Sequence, residues 1–321
     1  MDQKIEHQAI IGEQYSGQRL DQVAAKMFTD YSRGRLQTWI KAGQLLVDGQ
    51  AKKAKDKVWG GETINIAATL EIEDDSWAAE DIPLNIVFED DSLLVINKPS
   101  GLVVHPAVGN YTGTLLNGLL FHCAGQENLP RAGIVHRLDK ETSGLMVVAK
   151  TLKAHHHLVN QLQHREVHRE YEAVVNGVLT GGGVVDAPIG RHPQQRVKMA
   201  VVDGGKEAIT HFRVAARFEH FTHVRLSLET GRTHQIRVHM AHRQYPLVGD
   251  PVYGGRLRLP KGITSELDEC LRQFKRQALH AKKLSLVHPE TGEWVEWEVD
   301  LSEDFQYLLD VLQRDRLAGS K

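Results

Sequence analysis

Long apolar runs are missing from this sequence. No stretch approaches the roughly 20 consecutive apolar residues that a helix needs to cross a bilayer, which argues against a membrane protein and against a membrane partner. The N-terminus, MDQKIEHQAI, has no basic segment leading into an apolar one, so no secretory signal is expected. Cysteine is scarce. Cys123 and Cys270 are the two present, with neither CxxC spacing nor a framework to staple, which points to a reducing cytoplasm and two structural thiols. Also absent are GxxxxGK[ST], GxGxxG, GxSxG and HExxH. Nucleotide hydrolysis, dinucleotide redox chemistry, esterase chemistry and zinc proteolysis lose most of their basis with them.

What is present starts with size. A chain of 321 residues, 41% hydrophobic and 25% charged, has the make-up of a globular protein and is long enough for two domains. The 18 histidines invite a metal reading, which their spacing does not support. His155, His156 and His157 are consecutive and fan apart on a helix. His164 and His168 are four apart but have no nearby cysteine and no evident acidic third ligand. No metal is expected.

The net charge of −2 conceals a split. From residue 17 to residue 60 there are nine Lys or Arg against four Asp, a local +5, so the remainder sums to −7. A basic block on an acidic chain is either the electrostatic footprint of a nucleic-acid partner or a solvated helix face that happens to be basic, and charge alone does not choose between them. Within it, Leu20, Val23, Ala24 and Met27 recur at helical spacing. A second helix follows, with Ser32 as N-cap and Leu36, Trp39 and Ile40 on one face. Gly43 stops it, and Leu45-Leu46-Val47 reads as a strand entering an Asp48-Gly49 turn. This order of elements, with the Ser-Arg-x-Arg-Leu start of the second helix, resembles the S4 RNA-binding domain. The resemblance implies RNA contacts from Arg33, Arg35 and Lys41.

The organisation expected is an N-terminal extension (1–16), an S4 domain (17–62), an acidic linker (63–80), a catalytic domain (81–310) and a C-terminal tail (311–321). Glu71, Glu73, Asp74, Asp75, Glu80 and Asp81 give the linker its character. Beyond it the apolar segments are short and strand-like: LNIVFE, SLLVIN, GLMVVAK, YEAVVNGVL, HFRVAARF, VRLSLE and KKLSLV. Helical stretches are fewer, around Thr114–His122 and Thr151–Gln163 and after Thr233. Without a βαβ rhythm, this predicts an α+β domain on a largely antiparallel sheet.

The informative stretch is Gly133-Ile-Val-His-Arg-Leu-Asp-Lys-Glu-Thr-Ser-Gly144. Alone, Arg137 and Asp139 read as a structural ion pair. With the companion segments the reading changes: Asn97-Lys-Pro-Ser-Gly101 upstream, then Arg169-Glu-Tyr171, then Gly231-Arg-Thr-His-Gln-Ile-Arg-Val-His239. These four motifs, in this order, resemble the RluA family of pseudouridine synthases. Pro188–Pro193, Leu247–Arg256 and the S4 module are similar to family members that act on 23S ribosomal RNA. The partner implied is that RNA in the large ribosomal subunit or its precursor, at the hairpin that touches the small subunit.

The resemblance implies the following roles. Asp139 is the central carboxylate, and either forms an adduct with the sugar or removes a sugar proton. Arg237 is its paired cation, which a carboxylate in a water-poor pocket requires. Tyr171 offers a ring face to the uracil and a hydroxyl for proton transfer from carbon. Arg137 fills the gap left by the extruded base. His136, Arg232 and Gln235 are expected to contact substrate or, with Thr142 and His234, to shape the pocket or hold strand ends. Lys98 and Pro99 read as structural, and Gly101 and Gly144 as turn glycines. The isomerisation involves no redox change and no external group, so no cofactor is implied. The same chemistry on another RNA site is one alternative. The other is a non-catalytic assembly factor using the S4 module, against which the joint presence of Asp139, Tyr171 and Arg237 argues.

Overall fold

The computed structural model describes residues 3–28, 31, 33–70, 77–107, 110–195 and 198–319. The chain divides into two compact units, Met1–Ser76 and Trp77–Lys321.

In the first unit, strand β1 (Gln3–Ile10) precedes helices α1 (Leu20–Met27) and α2 (Arg33–Lys41), then strands β2 (Leu45–Val47) and β3 (Thr63–Leu70). The apolar faces of both helices, Leu20, Val23 and Ala24 with Leu36, Trp39 and Ile40, bury against Leu45, Val47, Ile64 and Ile66. Asp48 and Gly49 take φ of 49° and 74°, the left-handed pair that a tight hairpin turn requires. Two segments differ from the sequence reading. Residues 3–10, read as an extension, form an edge strand antiparallel to β3. Residues 63–70, read as the start of the linker, form the middle strand of the order β1-β3-β2. Ile64, Ile66 and Ala68 are buried in strict alternation, a period-2 signal that the acidic run after it obscured. The proposed cap Ser32 and the linker residues Glu71, Glu73, Asp74 and Asp75 lie outside the described residues.

One polar group organises this small core. The fully buried Asp21 accepts from Arg19 Nε (3.0 Å), Arg33 Nη2 (2.7 Å) and Gln37 Nε2 (2.7 Å). Burial alone would raise its pKa, but the bonds from Arg19, Arg33 and Gln37 outweigh it and hold the carboxyl well below the usual range. A depressed folded-state pKa stabilises above the unfolded value and is lost as pH falls through the folded one. Asp21→Asn should therefore lower the unfolding temperature of this unit at pH 7. The difference from the native protein should shrink below about pH 4. Calorimetry of the full chain at both pH values checks this, and a pH-independent difference would mean that Asp21 acts by packing alone.

The second unit runs β4 (Ile86–Glu89), β5 (Leu93–Lys98), α3 (Leu115–His122), β6 (Ser143–Ala149), α4 (Leu152–Gln163), β7 (His168–Asn176) and β8 (Gly183–Asp186). It continues with β9 (Ile189–Arg191), β10 (Met199–Val201), β11 (Ile209–Arg217), β12 (Phe221–Leu228), α5 (Gln235–His242), α6 (Ser265–Gln273), β13 (Leu279–Val287), β14 (Trp294–Glu298) and α7 (Glu303–Gly319). The main sheet has the order β4-β5-β6-β13-β7-β12-β11-β8, with β14 also on β13, while β9 and β10 pair separately. Its pairings are antiparallel except β6 with β13. This is the α+β, largely antiparallel domain that the sequence predicts.

Strand β6 is buried along its whole length. Met146 and Val148 enter the core beneath α3, and Leu145, Val147 and Ala149 pack with Ala154 and Leu158 of α4. Both faces covered is why it reads as an unbroken apolar run. Gly144, expected in a turn, lies inside β6 at φ +114°, where a Cβ would sit 2.2 Å from the Ala281 carbonyl oxygen of β13. It is a close-approach glycine. Helix α7 extends to Gly319 through the segment read as a tail, and Val311 and Leu312 bury beside α6. Among the described residues no helix is long and apolar enough to cross a membrane.

Candidate active site

A cleft of about 920 Å³ opens in the second unit, lined by Arg137, Asp139, Tyr171, Arg169, His234 and Arg237 among others. The segment carrying Asp139 leads into β6. Its residues alternate between inward and outward, so Leu138 anchors in the core at 4% exposure, Arg137 stands out in solvent and Asp139 turns into the cleft. The following turn is fixed from below. The Lys140 carbonyl accepts from Lys98 Nζ (2.9 Å) and from the Gly101 amide (2.9 Å). Lys98 Nζ also donates to the carbonyls of Pro99 (2.7 Å) and Leu102 (3.0 Å). Burial pushes Lys98 down to about 7, against the pull of Glu141 and Asp139. Three carbonyl acceptors need three N–H donors, which only the ammonium form supplies. Lys98 thus ties the NKPSG turn to the Asp139 loop.

Opposite stands Arg237, in the first turn of α5 and 4% exposed. Its Nη1 donates to Asp139 Oδ2 at 2.9 Å, the pairing that the sequence predicts. Its other edge is held by a residue that the sequence reading left without a role. Asp250 takes Arg237 Nε (2.7 Å) and Nη2 (2.9 Å) in a fork, and accepts the amides of Val252 (2.8 Å) and Tyr253 (3.0 Å). The Arg237 guanidinium lies 5.0 Å from the Tyr253 ring centre. Burial works against its charge, but Asp250 and then Asp139 raise the Arg237 pKa above its ordinary value. Asp250 is held in the opposite sense. Burial would raise it, and Arg237 with the Tyr253 and Val252 amides keeps it low. The outcome is a fixed cation that presents Nη1 to Asp139 while its other edge stays forked on Asp250.

His234 is at φ +58°, an unfavourable backbone for a non-glycine residue. Its Nδ1 is 2.8 Å from the Tyr253 hydroxyl, and its Nε2 is 3.8 Å from Asp139 Oδ1. Burial lowers its pKa despite the pull of Asp139, so the ring is neutral at pH 7 and the contact with Asp139 is not an ion pair. Arg131 (+53°) and Arg165 (+63°) also have left-handed backbones at the cleft. Arg165 bridges Glu207 (2.6 Å) and Glu229 (3.0 Å).

Tyr171 of β7 is 6% exposed and lines the cleft. Burial raises its pKa, Arg169 opposes and Asp139 adds to the rise, so the phenol keeps its proton. His136 is half-buried, and desolvation pushes it down to about 3, with Arg169 adding to the effect. Its Nε2 accepts the Val147 amide (3.1 Å), which places the proton of the neutral ring on Nδ1. Gln235 has no free valence for a substrate. Its Oε1 accepts from Thr230 Oγ1 (2.8 Å) and the Arg232 amide (3.0 Å), and its Nε2 donates to the Ile209 carbonyl (2.9 Å) and Thr210 Oγ1 (3.0 Å). It holds the GRTHQIR loop. Arg232 lines the cleft with its Nε on the Glu207 carbonyl (2.9 Å), and Thr142 accepts from Gln277 (3.0 Å). Arg137 has no hydrogen bond or ion pair to another described residue and is free to leave its place.

Arg33, Arg35 and Lys41 lie in the first unit, on α2. Arg33 shares its charge with Asp21. Among the described residues the group most like a metal-ligand set is Glu89, His122 and Cys123. None of the three lines the cleft, and the Lys150 ammonium already sits 2.8 Å from Glu89.

The chain that builds this cleft, with Asp139 against a forked arginine and a buried tyrosine, matches known families. The model of RNA pseudouridylate synthases matches residues 92–242, and that of S4 domains matches residues 18–64. The ribosomal large subunit pseudouridine synthase D of Pseudomonas aeruginosa is 57% identical over 318 residues, 99% of each chain. Its namesake in Xanthomonas campestris is 53% identical, covering 96% of this chain and 93% of its own. Among solved structures, human RNA pseudouridylate synthase domain containing 4 superposes with a TM-score of 0.54 at 28% identity, over 71% of this chain and 93% of its own. The chain belongs to the RNA pseudouridylate synthase family and is an enzyme of that class, with an S4 domain ahead of the catalytic unit.

Proposed function

We propose that this enzyme converts uridines of 23S ribosomal RNA to pseudouridine in the cytoplasm, without a cofactor, at the hairpin of the large subunit that meets the small one. The observation that carries the reaction is the Asp139–Arg237–Asp250 chain, a carboxylate held in a cleft by a cation that is itself held. Similarity over the full length to synthases named for the large ribosomal subunit supports the substrate.

In this reading Asp139 attacks the ribose carbon, or takes a proton beside it, as the glycosidic bond breaks. Arg237 holds it aimed. The uracil turns within the cleft and rejoins through carbon five. Tyr171 stays protonated, so it accepts the carbon-five proton only as it hands on its own. Gln235 and His136 act by holding the walls, and Arg232 lies at the rim. The S4 domain supplies affinity and placement through its basic surface, including Arg35 and Lys41.

Arg137 is the extrusion residue of this scheme. Exposed and unpaired at the cleft, it can follow the base out of the stack and fill the gap. Arg137→Ala should slow catalysis about 100-fold on folded RNA. The loss should fall to about tenfold or less when the uridine sits in an unstructured oligonucleotide, where less unstacking is needed. Rates on the two substrates check this, and equal defects would place Arg137 in the chemistry instead. The substrate is tested by mapping pseudouridine in ribosomal RNA from cells lacking the gene. Unchanged 23S sites would remove the assignment.

A further inference from the structure

We propose that Arg169 is a further catalytic residue, whose guanidinium meets the uracil and stabilises the negative charge that the base carries while detached from the ribose. This rests on the function proposed above and adds a named residue to its middle step.

Three arginines are buried among the described residues: Arg169, Arg237 and Arg276, at 8%, 4% and 7% exposure. Arg237 has Asp139 and Asp250, and Arg276 has Asp304 at 2.6 Å. Arg169 has no carboxylate. No hydrogen bond or ion pair to a described residue holds its guanidinium, and its Nε is both shielded from solvent and unsatisfied. A buried, unpaired guanidinium is among the least tolerated groups in a folded protein, and one that persists calls for an acceptor from outside.

Its position says which acceptor. Arg169 lies two residues before Tyr171 on β7, so both side chains project from the same face, and both line the cleft. Its charge is felt at Tyr171 and at His136. Nη1 lies over Gly231, where an added Cβ would be 2.8 Å away, so the GRT turn leaves the guanidinium room without neutralising it. Arg131, Arg137 and Arg165 are exposed at the rim, where their charges would meet a phosphodiester chain. The depth of Tyr171 and Arg169 is reached only by an extruded base.

The electron count supplies the charge. When the C1′–N1 bond breaks, both of its electrons leave with the uracil, which becomes an anion spread over its ring and carbonyl oxygens. C1′ is compensated by a bond to an Asp139 oxygen or by loss of the C2′ proton to Asp139, and neither route neutralises the base. The new C5–C1′ bond uses the anion's electron pair, and the carboxylate or the proton is returned. The C5 proton then leaves and N1 takes one up. The charge exists only between the two bonds, and a cation fixed in advance at that place lowers the barrier selectively.

The test uses full-length protein and unmodified 23S ribosomal RNA transcribed in vitro. Arg169→Met keeps the volume and removes the charge, and Arg169→Lys returns the charge without the fork. The single-turnover rate at saturating RNA should fall about 100- to 1,000-fold in Arg169→Met, and Arg169→Lys should recover about tenfold of that. RNA affinity, measured with Asp139→Asn also present, should stay within about threefold with an unchanged salt dependence. A rate within about threefold of native, per folded molecule by thermal unfolding, overturns the proposal. So does a variant that loses affinity and salt dependence but keeps its rate at saturation, which would make Arg169 a phosphate anchor. If the native protein itself forms no pseudouridine in this RNA, the functional reading falls instead, and this inference with it.

Discussion

Asp139→Asn should abolish turnover while leaving fold and RNA affinity in place. The substitution keeps the side-chain volume and removes the charge, so the expected loss in single-turnover rate is about 10⁴-fold or more. The fold should survive because Arg237 does not depend on Asp139 alone. Its Nε and Nη2 remain forked on Asp250 at 2.7 and 2.9 Å. Affinity should be equal or slightly tighter, since phosphate contacts dominate binding and one negative charge has left the cleft. Pseudouridine formation, unfolding temperature and RNA binding measured on one preparation check all three. Appreciable turnover by a sequence-verified variant would remove Asp139 from the centre of the chemistry.

The second large effect is expected at Asp250. It touches no reacting atom, yet Asp250→Ala should damage both stability and rate. The side chain is fully buried and accepts four hydrogen bonds, two from Arg237 and one each from the amides of Val252 and Tyr253. Removing it leaves four donors without acceptors in a buried place, which costs about 3–5 kcal/mol. For a unit of this size that corresponds to on the order of 10 °C in unfolding temperature. Arg237, released on one side, would turn its fork onto Asp139 and tie up the carboxylate. The rate should fall about 100-fold per folded molecule, with KM changed much less. Asp250→Asn, which keeps an acceptor oxygen, should recover most of the stability and less of the rate. A native rate in folded Asp250→Ala would show that Asp250 supports the fold without aiming Arg237.

The sequence was most legible where chemistry and local pattern coincide. Asp139 and Arg237 are 98 positions apart, and only the order of motifs joins them; the structure puts them at 2.9 Å. The seven apolar segments read as strands all fall on strands of the main sheet. Asp250 was passed over because a Gly-Asp-Pro segment looks like any turn until its partner is known. Arg169 served as a motif marker, since a missing partner is visible only in three dimensions. The resemblance places Gln235 at the substrate and Arg33 at RNA, and the structure shows Gln235 fully occupied by internal bonds and Arg33 shared with a buried carboxylate. Helix α7 carries Phe305, Leu308, Val311 and Leu312 at helical spacing, a signal that runs across the boundary drawn at residue 310 and is cut in two by it. Gly144 looked like a turn residue because the strand that crowds it, β13, comes more than 130 residues later.

That late strand has a kinetic consequence. Strand β13 fills the space between β6 and β7, and Leu279–Val287 must insert between segments that end by Asn176. Chain emerging from the ribosome therefore carries the Asp139 loop and the Tyr171 strand long before the piece that joins their sheet. Until residue 287 is out, β6 and β7 present unpaired inner edges, and a strand destined for full burial has one flank open. Pairings this distant in sequence close slowly, and open edges of this kind invite the wrong partner. An enzyme of this design gains its cleft late and all at once, as β13, near the end of the sequence, wedges the two halves of the sheet together.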